Sequence, residues 1–134
     1  MKSWYKISNT SVWDAWDGIG STPNNVDVEY KGYITSMYPS EFRSYVLPGV
    51  SNDKSADYLV EAVRNGKKMG QPMLYLEWHV DRNVWQVVGH EGRSRSIAFE
   101  RLFGNNKMEV HVITDIRPEH YTSEMREAII MREV

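Results

Sequence analysis

The chain has 134 residues, 41% of them hydrophobic and 25% charged, enough for one domain with its own core and no disulfides. A formal charge of −2 excludes a global basic field for long nucleic acid, so DNA is not a favoured partner and would need a local patch. No apolar run reaches the roughly 18 residues that span a bilayer, the first five residues lack the apolar core of a signal peptide, and cysteine is absent; the expected location is the cytoplasm, with no membrane partner.

Residues 1–25 combine Trp4, Tyr5, Trp13 and Trp16 with the turn formers Asp17-Gly18-Ile19-Gly20-Ser21-Thr22-Pro23. Three tryptophans are costly to leave in water, so they dock on the body of the domain or on a protein partner. Asp17-Gly18-Ile19-Gly20-Ser21 has the glycines of a phosphate loop but no lysine and no strand ahead of it, and reads as a plain turn. Residues 26–34 alternate as a strand, with Val26, Val28, Tyr30 and Gly32 on one face and Asp27, Glu29, Lys31 and Tyr33 on the other. Pro39 opens a short helix, where its missing N–H costs little; Phe42, Tyr45 and Val46 give that helix an apolar side before Leu47-Pro48-Gly49 ends it. Ser55 or Ser51 caps a second helix, with Tyr58, Leu59, Ala62 and Val63 on one face and Asn65-Gly66 as its stop.

Gly70-Gln71-Pro72 leads into an apolar strand at 73–78, and Asp81-Arg82-Asn83 turns the chain into a second strand at 84–88, a hairpin. Tyr75, Trp78 and Trp85 read as core or sheet-face residues rather than base-stacking platforms. A helix starts near Arg93 and stops at Gly104-Asn105-Asn106, and residues 108–113 form a further strand. From Thr122 the tail, with Met125, Ala128, Ile129 and Ile130, reads as a last amphipathic helix. Its charged residues Glu124, Arg126, Glu127, Arg132 and Glu133 form a solvated face.

The stretch Val84-Trp85-Gln86-Val87-Val88-Gly89-His90-Glu91-Gly92-Arg93-Ser94-Arg95-Ser96 organises the rest. A strand breaks at two glycines and resumes with helical period, so the turn at 89–92 aims the uncapped N–H groups of a helix at whatever lies over it. Arg93 and Arg95 add charged donors, and the simplest ligand that fits is a phosphate. The candidate phosphate or nucleotide contacts are Gly89, Gly92, Arg93, Ser94 and Arg95. Two positions apart on a helix, Arg93 and Arg95 point roughly 200° from each other. Arg93 is therefore expected to take the anion, and Arg95 a second phosphate or a structural carboxylate, unless both are solvated surface residues. A carboxylate beside phosphate is repelled unless a metal or proton intervenes, so Glu91 reads as a Mg²⁺ ligand, a general base or a cap for the helix. His90 reads as a general acid or base, or as a donor to phosphate. With no second histidine four residues on, His90-Glu91 is not the metalloprotease helix motif, and nothing in the sequence places His79 or His111 near His90 for a zinc site.

Gly89-His90-Glu91-Gly92-Arg93-Ser94-Arg95-Ser96 resembles the phosphate-binding signature of the ParB and sulfiredoxin superfamily. Its ParB branch reads Gly-Glu-Arg-Arg-x-Arg-Ala, which Glu91, Arg93, Arg95 and Ser96 match in four places; Gly92 and His90 depart from it. Sulfiredoxin carries a cysteine in this turn, so its chemistry is excluded here. Gly70-Gln71-Pro72 is similar to the family's Gln-Pro step, and the order of elements from residue 26 to 113 resembles the family layout. Residues 1–25 and 114–134 fall outside it.

The resemblance implies an α+β fold, a small mixed sheet with helices packed on it. It also implies nucleotide or phosphate binding, with Mg²⁺ alongside a nucleotide, and relatives that hydrolyse nucleotides, transfer phosphoryl groups or cleave nucleic acid. The chain lacks the DNA-binding helices that follow this domain in full ParB proteins and resembles stand-alone members from phages and mobile elements, which would act in a host cytoplasm. The second expected function is therefore non-catalytic, the capture of a host protein through Trp4, Trp13 and Trp16 in an anti-defence or host-takeover role.

Overall fold

A computed structural model describes residues 32–49, 53–67 and 69–134. Trp4, Trp13, Trp16, the turn at 17–25, the first part of the expected strand at 26–31 and Ser51 lie outside the described residues.

The elements in chain order are β1 (Gly32–Met37), α1 (Pro39–Tyr45), α2 (Asp53–Arg64), β2 (Met73–His79), β3 (Val84–Glu91), α3 (Arg93–Phe103), β4 (Met108–Thr114), a 3₁₀ turn (Pro118–His120), α4 (Ser123–Glu127) and β5 (Ile130–Met131). The fold is mixed α and β. Among the described residues a five-stranded sheet has the order β1-β4-β2-β3-β5. β1 with β4 and β2 with β3 are antiparallel, whereas β2 with β4 and β3 with β5 are parallel.

Alternation along the strands sends Tyr33, Leu74, Leu76, Val87, Val110 and Val112 to one face, where Phe42 of α1 joins them in the main core. Burying each such side chain contributes about 1.5–3 kcal/mol. Trp78 and Trp85 are core residues, as expected. Trp85 is fully buried, meets Trp78 edge-on at 5.1 Å and Tyr121 at 5.5 Å, and donates its indole N–H to the Met125 carbonyl at 2.8 Å. α2 packs on α3 through a smaller cluster of Leu59, Val60 and Ala98, supported by an Arg101–Asp57 ion pair.

Five local expectations are corrected. Tyr33, expected on the polar face of its strand, is fully buried in the main core. α2 starts at Asp53, so Ser55 sits inside the first turn and cannot be its N-cap. Tyr58 is 61% exposed, and the buried face of α2 runs through Ala56, Leu59, Val60 and Ala62 instead. β3 does not break at Gly89 but continues through Glu91. Its irregularity is a one-residue register shift opposite Tyr75 and Leu76, which leaves Val88 exposed and lets the ladder resume. The last helix spans only Ser123–Glu127, has no buried residue, and gives way to a strand. Ile129 and Ile130 are β-branched, and β3 offers them a sheet edge: Trp85 N–H donates to the Ile129 carbonyl at 3.0 Å, and Ile130 reaches the core. A helix of five residues that sets only Met125 against the core cannot be extended in competition with that pairing.

Candidate functional site

β3 ends at Glu91 and α3 begins at Arg93, so the whole connection is one residue, Gly92, with φ 103° and ψ 24°. A left-handed residue followed by helical backbone turns successive N–H groups toward the same side, a concavity that suits an anion. Glycine is required twice over, because a Cβ here would also lie 2.8 Å from the Pro72 Cα. The first N–H to bond inside α3 is that of Ser96, to the Gly92 carbonyl at 2.9 Å. The N-cap residue Gly92 has no side chain to cap the helix and the first turn holds no acidic residue, so the first N–H groups have no partner inside the helix. Glu91 is therefore a strand residue and not the cap.

The candidate residues separate into three environments. Arg93 lies under the loop that follows α1: a Cβ on Gly49 would sit 3.4 Å from Arg93 Cδ and 3.7 Å from Nε. Arg93 Nε is buried and has no hydrogen-bond partner among the described residues. Ser94, half-buried, shares the first turn of α3 with it.

Arg95 is 2% exposed, which corrects any reading of it as a solvated residue. It donates to the Gln71 carbonyl at 3.1 Å. Burial lowers its guanidinium to about 10, while Glu91 and Tyr75 pull it back up; it remains cationic at neutral pH. Tyr75 is raised by burial first and by Glu91 second, against Arg95. Glu91, Arg95 and Tyr75 thus form one electrostatic group. Gly89 leaves room for it, since a Cβ there would lie 3.3 Å from the Tyr75 ring.

His90 points away from Glu91. Cross-strand partners share a face; Glu91 faces Met73, His90 faces Leu74, and Leu74 belongs to the main core. The two residues expected to carry proton transfer therefore lie on opposite faces of β3 and do not form a joint acid–base pair. His90 Nδ1 lies 2.7 Å from a Glu133 carboxylate oxygen, and because a carboxylate only accepts, the proton sits on Nδ1. Glu133 also accepts from the Leu47 N–H at 3.2 Å. Glu133, read from sequence as part of a solvated face, is only 12% exposed.

One further residue shapes the site without a local signal in the sequence. Arg43, in the last turn of α1, donates to Glu100 at 2.7 Å and to the Ser96 hydroxyl at 3.4 Å; Ser96 in turn donates to the Arg93 carbonyl at 2.6 Å. The partners are 53 and 57 residues away in sequence, beyond any local pattern. His111 is buried to 1% exposure on β4, remote in role from the turn, and burial lowers it to about 4. Among the described residues no group of three His, Cys, Asp or Glu could hold a metal ion, so His79, His90 and His111 do not converge. No described helix is long and apolar enough to cross a membrane. Comparison of the chain with protein-family models, curated proteins and solved structures finds no match.

Proposed function

We propose that this chain binds a nucleotide or another phosphorylated small molecule at the start of α3, with Arg93 as the cation that faces the phosphate. The observation that carries this reading is the combination at Gly92 and Arg93: a left-handed step into an uncapped helix, beside a guanidinium Nε that is buried with no partner among the described residues. Backbone N–H groups, the helix dipole and one arginine act together on a dianion. Ser94 supplies an N–H in the same turn. Arg95 serves as the internal cation that holds Glu91 and the Gln71–Pro72 segment in place.

The order of hairpin, arginine turn, helix and strand supports a ParB-like reading of this site. Where the ligand is a nucleotide, Mg²⁺ is held by one or two carboxylates together with phosphate oxygens, and Glu91 is the residue that would supply one. His90 and Glu91 lie on opposite faces of β3. This favours binding, or phosphate-ester chemistry through Glu91 alone, over a two-residue acid–base mechanism.

The test is thermal melting against ATP, ADP, CTP, GTP and inorganic phosphate, each with Mg²⁺, for the wild type and Arg93→Ala. A ligand at 100 times its Kd raises stability by roughly 2.7 kcal/mol. A shift that vanishes in the variant supports the reading and justifies assaying turnover in Glu91→Gln. No shift with any of them defeats it and turns attention to a protein partner for Trp4, Trp13 and Trp16.

A further inference from the structure

The segment 128–134 is held mainly by hydrogen bonds. Trp85 N–H donates to the Ile129 carbonyl at 3.0 Å, the Gln86 side-chain amide to the Arg132 carbonyl at 2.7 Å, and Glu133 N–H to the Tyr45 carbonyl at 2.8 Å. Ile130 is its one fully buried residue, Ala128 packs partly buried against the main core, Val134 is almost fully exposed, and α4 before it sets only Met125, partly buried, against that core. A segment with so little apolar burial belongs to the part of a fold that opens first.

Among the described residues its charged anchor is Glu133, whose carboxylate joins two other parts of the molecule. It accepts from His90 near the end of β3 and from the Leu47 N–H at the start of the loop that follows α1. Two residues further along that loop, Gly49 lies on the Arg93 side chain. Val46 is buried in the main core, whereas Leu47, Pro48 and Gly49 after it are all exposed, so among the described residues Glu133 is the side chain that bonds to this exposed stretch.

We infer that residues 128–134 are a latch on the anion site: Glu133 holds the 46–49 loop over Arg93, and its release lifts the loop and frees Arg93 for phosphate. The inference rests on the reading of Arg93 as the phosphate contact. A ligand that binds only the unlatched state sees an apparent Kd weakened by the fraction of molecules unlatched. By linkage, phosphate loosens the latch to the same degree that the latch weakens phosphate.

Two measurements on wild type, Glu133→Gln and Glu133→Asp test this. Amide hydrogen exchange reads the loop at residues 46–49, and calorimetric titration with inorganic phosphate and with ATP reads affinity. In Glu133→Gln, exchange in the loop rises and apparent Kd tightens, each by about tenfold, the scale of one charged hydrogen bond. Exchange across α3 stays unchanged. Glu133→Asp keeps the charge with a shorter reach and falls between the two, which also guards against a Gln variant that fails to fold. Unchanged loop exchange overturns the latch, as does faster loop exchange with equal Kd in all three proteins. Binding by none of the three overturns the phosphate reading, and the latch with it.

Discussion

The guanidinium of Arg95 reaches back from the first turn of α3 to the Gln71 carbonyl, 24 residues earlier in the chain, and donates to it at 3.1 Å. One buried cation thereby ties the start of the helix to the segment that enters β2. Removing it leaves a buried acceptor, an unneutralised Glu91 and a void. Arg95→Ala is expected to destabilise the protein by about 3 kcal/mol, read from the urea midpoint. A loss below about 1 kcal/mol would show that the contact is incidental.

Arg93 gives the opposite result. With no hydrogen-bond partner for its Nε among the described residues, Arg93→Ala is expected to change stability by less than about 1 kcal/mol while abolishing the melting shift given by phosphate ligands. If the variant unfolds as easily as Arg95→Ala, Arg93 belongs to the scaffold and not to the ligand.

Gly92 separates two costs of a side chain. Gly92→Ala meets both a φ of 103° and the Pro72 backbone at 2.8 Å, whereas Gly66→Ala meets a φ of 88° with nothing within 4 Å. The Gly66 variant should lose about 1 kcal/mol from conformational strain alone. The Gly92 variant should lose at least about 2 kcal/mol, because Pro72 cannot move without shifting β2. Equal losses in chemical denaturation would mean that the junction relaxes freely.

His111 makes stability depend on pH. Its folded value of about 4 lies below the ordinary 6.5, so the unfolded chain takes up the proton first. The stability is fully present above pH 6.5 and is lost as pH falls from there toward 4, by up to about 3 kcal/mol. His111→Leu removes that slope. Urea midpoints from pH 7 to pH 4 that fall equally in the wild type and the variant would assign the acid sensitivity to other groups.

Much of the sheet and its helices is legible in the sequence because local chemistry and tertiary structure agree there. Pro39 starts α1, Asn65 and Gly66 close α2, and two apolar runs either side of Asp81-Arg82-Asn83 make the hairpin. The tail is not legible, because Met125, Ala128, Ile129 and Ile130 fit a helical stripe and only the free edge of β3 decides for a strand. The site follows the same division. The helix start at Arg93 and the glycine before it can be read locally, and Arg95 as a structural cation is one of the readings its spacing allows. The pairing of His90 with Glu133 spans 43 residues and rests on how the tail returns to the sheet, which no local pattern encodes. Gly89 was informative for a different reason from the one expected: it makes room for the Tyr75 ring rather than bending the strand.

The pairing of β5 with β3 also bears on how the chain is made. Until residues 129–131 have been synthesised, the backbone of Trp85 and Gln86 has no β5 to pair with. β2 and β3, adjacent in sequence, can already have met by then. A nascent chain at that stage presents an open strand edge beside exposed Val88, a template for pairing with a second nascent chain. The few residues of β5 therefore cover the β3 edge at Trp85 and Gln86 only after the rest of the sheet has been made.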